Sequence, residues 1–219
     1  MKPAWPSALL CLALAGQTAA DEADELRQLG AGVFTTAGEV TEINLNRSKI
    51  TDAQLKLVAA FPNLTDLSLE QTKITGKGFA RLTRLAKLEW VNLFQTQVND
   101  DGLTHLAKLK SLQHLPIGKT KVTDAGLLHI AKMKRLKYLG LRGNNITDSS
   151  VPRLAKLPKL TELHLGETGI TDKGTVGLAA LGQLQKLWLT DTKLTDASVP
   201  RLAKLKRLQS LYLFRTRFT

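Results

Sequence analysis

The sequence predicts an α/β solenoid, in which short strands and short helices alternate along one continuous array. The first observation is a period of 24 residues, because apolar units open at Val40, Leu64, Leu88, Leu112, Leu136, Leu160, Leu184 and Leu208. The second is the order within each unit, where an LxxLxL strand pattern precedes apolar residues at helical spacing. The third is that no insertion disturbs the phase. A fixed period of this size is typical of units that share one core with their neighbours.

Residues 1–20 are interpreted as a secretory signal peptide. Lys2 gives a positive start, Ala8 to Ala15 form an apolar run, and small residues precede Asp21. The apolar run is short for a permanent anchor, which is the alternative interpretation. The single cysteine, Cys11, lies in this segment, so the mature chain would have no disulfide, cysteine nucleophile or thiolate metal site. We therefore expect a secreted, periplasmic or extracellular protein.

Residues 21–39 are predicted to form an N-terminal cap, since a solenoid needs its first apolar face covered. Asp21 to Leu29 has acidic residues early and an arginine late, which is the charge order that a helix prefers. After the glycines at 30–32, Val33 to Thr36 and Val40 to Leu45 are predicted to pair as a hairpin over Ala37-Gly38. Residues 40–219 are then the repeat array.

Within each predicted strand, side chains alternate between two faces. The fourth and sixth positions, Leu139 and Leu141 in one unit, are assigned to the core, and the third, fifth and seventh to the opposite face. Stacked strands lie about 4.8 Å apart and packed helices about 10 Å apart. We therefore expect a right-handed arc with a parallel sheet on the concave side and helices on the convex side.

Thr-Asp pairs such as Thr123-Asp124 are predicted to begin the helices, because a hydroxyl caps free N–H groups and a carboxylate favours a helix N-terminus. In two units Ser-Val-Pro-Arg-Leu stands after the Thr-Asp pair, where other units have Gly followed by a bulky residue, which predicts that Ser150 and Ser198 cap helices that restart later. A column of hydroxyl residues after the strands is interpreted as scaffold that satisfies turn carbonyls.

The LxxLxL skeleton, the following Thr, the Ile or Val and the Thr-Asp pair resemble the leucine-rich repeat superfamily over Val40 to Thr219. With Thr in the ninth position, the units are similar to the 24-residue repeats of short secreted bacterial leucine-rich proteins and of F-box-linked repeat proteins. This resemblance implies the solenoid fold and says little about a ligand.

The concave columns carry every Trp and Tyr of the predicted mature chain, where core packing does not require them. Exposed aromatic clusters usually mark a contact surface. The predicted ligand-binding residues are Trp90, Phe94, His114, Tyr138, Arg142, His164, Trp188, Tyr212 and Phe214. Glycines at 118, 140 and 166 predict a trough beside them. Pro116 predicts a sheet that is locally weakened or kinked. The first hypothesis is a protein- or peptide-binding module; the alternative is that Trp90, Phe94 and Tyr138 only pack on one another.

The formal net charge is +12, and the helix side is predicted to carry much of it in one column, Arg84, Lys108, Lys132, Lys156 and Lys204. This column favours a second hypothesis, binding of an anionic cell-surface or envelope polymer, against a merely solvated face. Nucleic acid is disfavoured because this face lacks interleaved aromatic residues.

Catalysis has little support in the sequence. Glu162 lies near His114 and His164 in the concave columns, but no nucleophile and no metal spacing accompany them, so we predict no enzyme, cofactor or metal. His105 and His129 are assigned to the solvated helix face. The last unit is predicted to expose Leu211, Leu213 and Phe218, which favours self-association or a partner there.

Overall fold

The computed structural model describes residues 19–219. Most of the predicted signal segment, residues 1–18, lies outside the described residues, whereas residues 19 and 20 belong to a helix, α1, that continues to residue 28. Helix α1 carries the acidic residues of the predicted cap and packs Ala23 and Leu26 against the first repeat. The sequence placed this helix at Asp21 to Leu29.

One sheet of nine strands runs through the described chain in the order β1 to β9. Strands β1 and β2 pair antiparallel, as the predicted hairpin requires, and the other neighbours pair parallel. The eight repeat strands, β2 to β9, confirm the eight predicted units. The strands span Gly32–Thr36, Glu39–Asn44, Asp66–Ser68, Trp90–Asn92, His114–Pro116, Tyr138–Gly140, Glu162–His164, Lys186–Trp188 and Ser210–Tyr212.

Most repeat helices are only about one turn long and follow the strands at the predicted places. The α-helices α2 to α7 span Leu55–Val58, Asp100–Leu106, Leu127–Ile130, Val151–Leu154, Thr175–Leu178 and Val199–Leu202. In residues 19–219, 3-10 helices span Asp52–Gln54, Phe79–Arg84 and Asp196–Ser198. Isolated helices this short are unstable in water, so their stability comes from the shared core.

The core is a continuous column of leucine, isoleucine and valine side chains between sheet and helices. Leu139 and Leu141 have no exposed surface, which confirms the assignment of the fourth and sixth strand positions. The hydroxyl column is confirmed as scaffold as well. In one repeat after another the threonine hydroxyl donates to the carbonyl three residues earlier, as Thr72 does to Leu69 at 2.7 Å.

The aspartates at the starts of the helical segments connect neighbouring repeats, which the sequence did not predict. Asp124 Oδ1 accepts a hydrogen bond from the Thr147 N–H at 2.8 Å, and Asp124 Oδ2 accepts one from the Thr147 hydroxyl at 2.5 Å. The same two bonds recur at six of the seven junctions in the described residues, from Asp52, Asp100, Asp124, Asp148, Asp172 and Asp196. We call these contacts the carboxylate bridges.

The exceptional junction has Gly76 in place of the aspartate. Gly76 has φ +96°, and a Cβ atom there would lie 2.7 Å from the Cα atom of Gly102 in the next repeat. That repeat begins its helix in another way, because the Asn99 side chain accepts a hydrogen bond from the Gly102 N–H at 3.3 Å. With this cap, α3 extends to seven residues.

The predicted role of Ser150 and Ser198 as helix caps is wrong. Helices α5 and α7 do begin directly after them, but neither serine side chain caps its helix. Each hydroxyl instead donates to the carboxylate of the preceding repeat, Asp124 and Asp172 respectively. Helices α4 and α6 begin at the equivalent place without serine, so the serines strengthen carboxylate bridges and do not move the helix start.

Pro116 weakens the sheet as predicted. The pairing of β4 with β5 is reduced to the single register pair Trp90↔His114, whereas β3 with β4 and β5 with β6 each keep three. The physical reason is that proline has no N–H to donate to the neighbouring strand.

Candidate functional site

The strand register places the predicted concave residues in rows across neighbouring strands. Trp90 lies beside His114, His114 beside Tyr138, and His164 beside Trp188. Because the alternate residues of these strands are buried leucine or valine, these side chains share the face opposite the core. Most of this face is only partly buried.

A depression of about 170 Å³ lies in the middle of this face. It brings together four of the predicted site residues, Phe94, Tyr138, Arg142 and His164, with Pro116 and the glycines at 118 and 140. We call it the central depression. Trp90, His114, Trp188, Tyr212 and Phe214 lie outside it.

The glycines of the predicted trough make room for neighbouring side chains. A Cβ atom at Gly118 would lie 3.1 Å from Phe94 Cδ2, and one at Gly140 would lie 3.0 Å from the Tyr138 hydroxyl oxygen. At Gly166 the space is taken by Thr190, whose Oγ1 would lie 2.7 Å from such an atom. The predicted open trough is thus partly filled, and the central depression is what remains.

Three aromatic rings form a stack on the C-terminal part of the concave face. The His164 and Trp188 ring centroids are 5.5 Å apart at an interplanar angle of 7°, and those of Trp188 and Tyr212 are 5.1 Å apart at 1°. Among the described residues, Trp90, Phe94 and Tyr138 form no such stack. The sequence indicated the columns but not this grouping, since ring orientation depends on rotamers that the repeat pattern does not fix.

Glu167 contributes to the site, although the repeat pattern did not indicate it. Its carboxylate accepts a hydrogen bond from Arg142 Nε at 2.7 Å and lies 3.6 Å from Lys119 Nζ. The Arg142 hydrogen bond holds the pKa of Glu167 below its usual value. Glu167 thereby holds the Arg142 side chain at the rim of the central depression. A signal was available, since Glu167 follows the concave seventh position in its unit.

Burial is the largest influence on the pKa values of His164 and Tyr138, which line the central depression. It lowers the pKa of His164, and the nearby Arg142 lowers it further. It also raises the pKa of Tyr138, as does the charge of Glu162. His164 and Tyr138 are therefore both neutral at pH 7, so the depression offers rings, a phenol hydroxyl and one guanidinium.

The geometry gives the pairing of His164 with Glu162 no support. Glu162 Oε1 lies 3.1 Å from Lys186 Nζ, and His164 stacks on Trp188 while its Nδ1 atom is buried without a hydrogen-bond partner in the described chain. In residues 19–219 no three His, Cys, Asp or Glu side chains are grouped to hold a metal ion. His105 and His129, which were expected to be solvated, are both half-buried, and the Nδ1 atom of His105 is shielded from solvent.

The N-terminal third of the concave face is acidic. Glu42, Asp66 and Glu70 lie on adjacent strands or directly after them, and none of them takes part in an ion pair within the described chain. Glu70 accepts a hydrogen bond from the Asn92 amide at 3.0 Å. The face is therefore acidic at one end and aromatic at the other.

The basic column does not lie on the helices as predicted. Lys108, Lys132, Lys156 and Lys204 belong to the turns that follow the helices, because the helices end two residues earlier; of this column only Arg84 is helical. The cations thus lie along one edge of the solenoid, where each helix returns to the next strand.

A family model described as a leucine-rich repeat matches residues 156–179. Among solved structures, an internalin (inlF) from Listeria monocytogenes is 26% identical with a TM-score of 0.65; the match covers 81% of this chain and 48% of that one. An internalin C2 from the same species is 25% identical with a TM-score of 0.62, and 80% of each chain is covered. The chain thus spans about half the length of the first internalin. No curated protein matches it in sequence.

A third similar structure is the leucine-rich repeat ectodomain of the Arabidopsis receptor kinase HAESA, solved with a peptide hormone ligand. It is 18% identical with a TM-score of 0.60, and the match covers 85% of this chain and 36% of that one. These findings identify the fold as the leucine-rich repeat solenoid and confirm the superfamily resemblance. None of the helices in residues 19–219 is long and apolar enough to cross a membrane.

Proposed function

We propose that the chain is a non-enzymatic module that binds a protein or peptide segment on its concave face, with the central depression as the anchor point. The proposal rests on the depression that Phe94, Tyr138 and His164 line. These side chains lie on the concave face, opposite the core, so packing of the core does not require them. Pockets of this kind accept one apolar or aromatic side chain, and such anchors supply much of the affinity of an interface. The HAESA ectodomain with its peptide hormone shows that this fold is compatible with peptide binding.

The charges of the concave face favour a particular ligand. The unpaired carboxylates Glu42, Asp66 and Glu70 attract cations, and opposite charges across an interface set the direction in which a ligand lies. A matching segment carries a bulky apolar side chain for the central depression and lysine or arginine toward the N-terminal end of the array. The stack of His164, Trp188 and Tyr212 extends the apolar surface on the other side.

A peptide library displayed on phage and selected against the full chain tests this proposal. We expect selected peptides to lose affinity by at least about tenfold, roughly 1.4 kcal/mol, with Tyr138→Ala and with Phe94→Ala. The matched control is Lys108→Glu with Lys132→Glu at the basic edge, which should leave binding within about twofold. Selected peptides that bind both concave variants as well as the original chain would overturn the concave site.

We also propose that the chain is exported, because residues 1–20 have the positive start, the apolar run and the small residues of a signal peptide. Cleavage after Ala20 would make Asp21 the first residue and leave the acidic turn of α1 in place. N-terminal sequencing of the protein recovered outside the cytoplasm checks this, and a retained Met1 in that fraction would contradict it.

A further inference from the structure

Thirteen cations of the described chain lie at the last residue of a helical segment or in the turn that leads to the next strand, and the concave site does not explain this distribution. We call this set the basic edge: Arg84, Lys87, Lys108, Lys110, Lys132, Lys134, Arg135, Lys137, Lys156, Lys159, Lys204, Lys206 and Arg207. All of them are exposed. The same turns contain one carboxylate, Glu89. The edge is therefore strongly positive in a chain whose opposite edge holds the carboxylate bridges.

No cation of the basic edge is neutralised by the described chain. The ion pairs of residues 19–219 involve Arg27, Lys119, Arg142, Lys186 and Arg215, all of which lie elsewhere. The aspartates at the helix starts do not neutralise these cations, because they form the carboxylate bridges on the opposite edge of the solenoid. Like charges brought together without counter-charges repel, so an anion that binds all of them relieves this repulsion.

The cations form a narrow strip along the solenoid. Ten of them fall in four consecutive turns, from Arg84 to Lys159, and the next turn, residues 179–185, has none. Neighbouring repeats are separated by about 5 Å at the strands and about 10 Å at the helices, so this strip is roughly 15 to 30 Å long. It follows one line from repeat to repeat, which matches a chain-like polyanion better than a flat surface.

We propose that the basic edge binds a linear acidic polysaccharide, whose carboxylate or sulfate groups contact cations from successive repeats. Nucleic acid fits less well, because the turns of the basic edge contain no Trp, Tyr or Phe on which bases could stack. An anionic membrane fits less well, because the described turns present no large exposed apolar side chain and the cations are confined to a strip. This site is independent of the concave ligand.

Heparin oligosaccharide is the probe for the test, and binding is measured over a series of salt concentrations. Lys108→Ala, Lys132→Ala and Lys156→Ala combined should weaken heparin binding at least about tenfold and reduce the salt slope by roughly three. The matched control combines Lys49→Ala, Lys73→Ala and Lys121→Ala on the opposite edge; these lysines are also exposed and their loss changes the net charge equally. The control should bind heparin within about twofold of the original chain.

A variant with added lysines tests the proposal by an increase in heparin binding, which loss of folding could not produce. Ala180→Lys with Gly182→Lys fills the uncharged turn at the positions equivalent to Lys132 and Lys134, and a side chain at Gly182 meets no neighbour. This variant should tighten heparin binding and steepen its salt slope. Equal losses for the two lysine triples, or no gain from the filled turn, would overturn the proposal, since binding would then follow net charge alone. Equal or tighter binding of an oligothymidylate of matched charge, or of phosphatidylglycerol vesicles, would overturn the polysaccharide assignment.

Discussion

At the scale of single residues, the carboxylate bridges show how one side chain can hold two repeats together. Burial raises the pKa of Asp52, but hydrogen bonds from Gly78, Thr75 and Gly76 outweigh it, so the pKa is lowered. The balance at Asp124 is the same, with Ser150 and Thr147 as the main donors. These aspartates are therefore ionised in the folded chain and accept hydrogen bonds from N–H groups of the turn in the next repeat.

At Gly76 the repeat pattern and the structure predict opposite effects of the same substitution. The sequence pattern suggests that Gly76→Asp would restore the missing bridge and stabilise the array. The structure predicts the opposite, because the backbone has φ +96° and the new Cβ would meet Gly102. We expect a loss of roughly 1 to 3 kcal/mol in the free energy of unfolding, measured by urea denaturation.

The control for this prediction is Gly182→Ala. A Cβ atom at Gly182 has no neighbour within 4 Å, so this change should move the urea midpoint little. A higher urea midpoint for Gly76→Asp would contradict the prediction. It would show that the two repeats can move apart enough to accommodate the new side chain and form a carboxylate bridge.

At the scale of elements, the weakest strand pairing is the one between β4 and β5. Pro116→Val would return an N–H donor to β5 and should extend its register with β4 from one pair toward three. We expect slower hydrogen exchange in β4 and β5, and a stability gain of up to about 1 kcal/mol after the loss of proline rigidity. Pro152→Ala, in the first turn of α5, is the control and should leave exchange in β4 unchanged.

The elements also show what the sequence could and could not predict. The apolar period predicted the strands, the core and the concave columns, because burial of Leu139 and Leu141 follows from alternation alone. The pattern could not show that Asp124 reaches the next repeat, or that Lys132 lies beyond its helix. Those outcomes depend on how far side chains extend and on how short the helices are. The stack of His164, Trp188 and Tyr212 likewise depends on rotamers.

At the scale of the whole molecule, the carboxylate bridges predict sensitivity to acid. Folded-state pKa values of Asp52, Asp124 and Asp172 lie below the usual value. A lowered pKa gives stability that is present above the unfolded-state value, about 4, and is lost as the pH falls through the folded-state pKa. We expect the free energy of unfolding to fall progressively below about pH 5, measured by urea denaturation at a series of pH values.

Asp124→Asn is the matched variant for the acid prediction. It should be less stable than the original chain at pH 7, and the difference should shrink as the pH falls and the original carboxylate is protonated. A difference that stays constant between pH 7 and pH 3 would show that the charge of Asp124 contributes nothing to the bridge.

The repeat that contains β4 lacks one contact on each side: Gly76 leaves it without a carboxylate bridge to the preceding repeat, and Pro116 removes one hydrogen-bond donor in the pairing with the next, where the Asp100 bridge remains. In a solenoid, stability is a sum of contacts between neighbours, so the array is most compliant where those contacts are fewest. We therefore expect that tension applied between the ends of the array opens the β4 repeat before its neighbours. Phe94 belongs to this repeat and forms one wall of the central depression, so such an opening would change the width of the depression that a ligand meets.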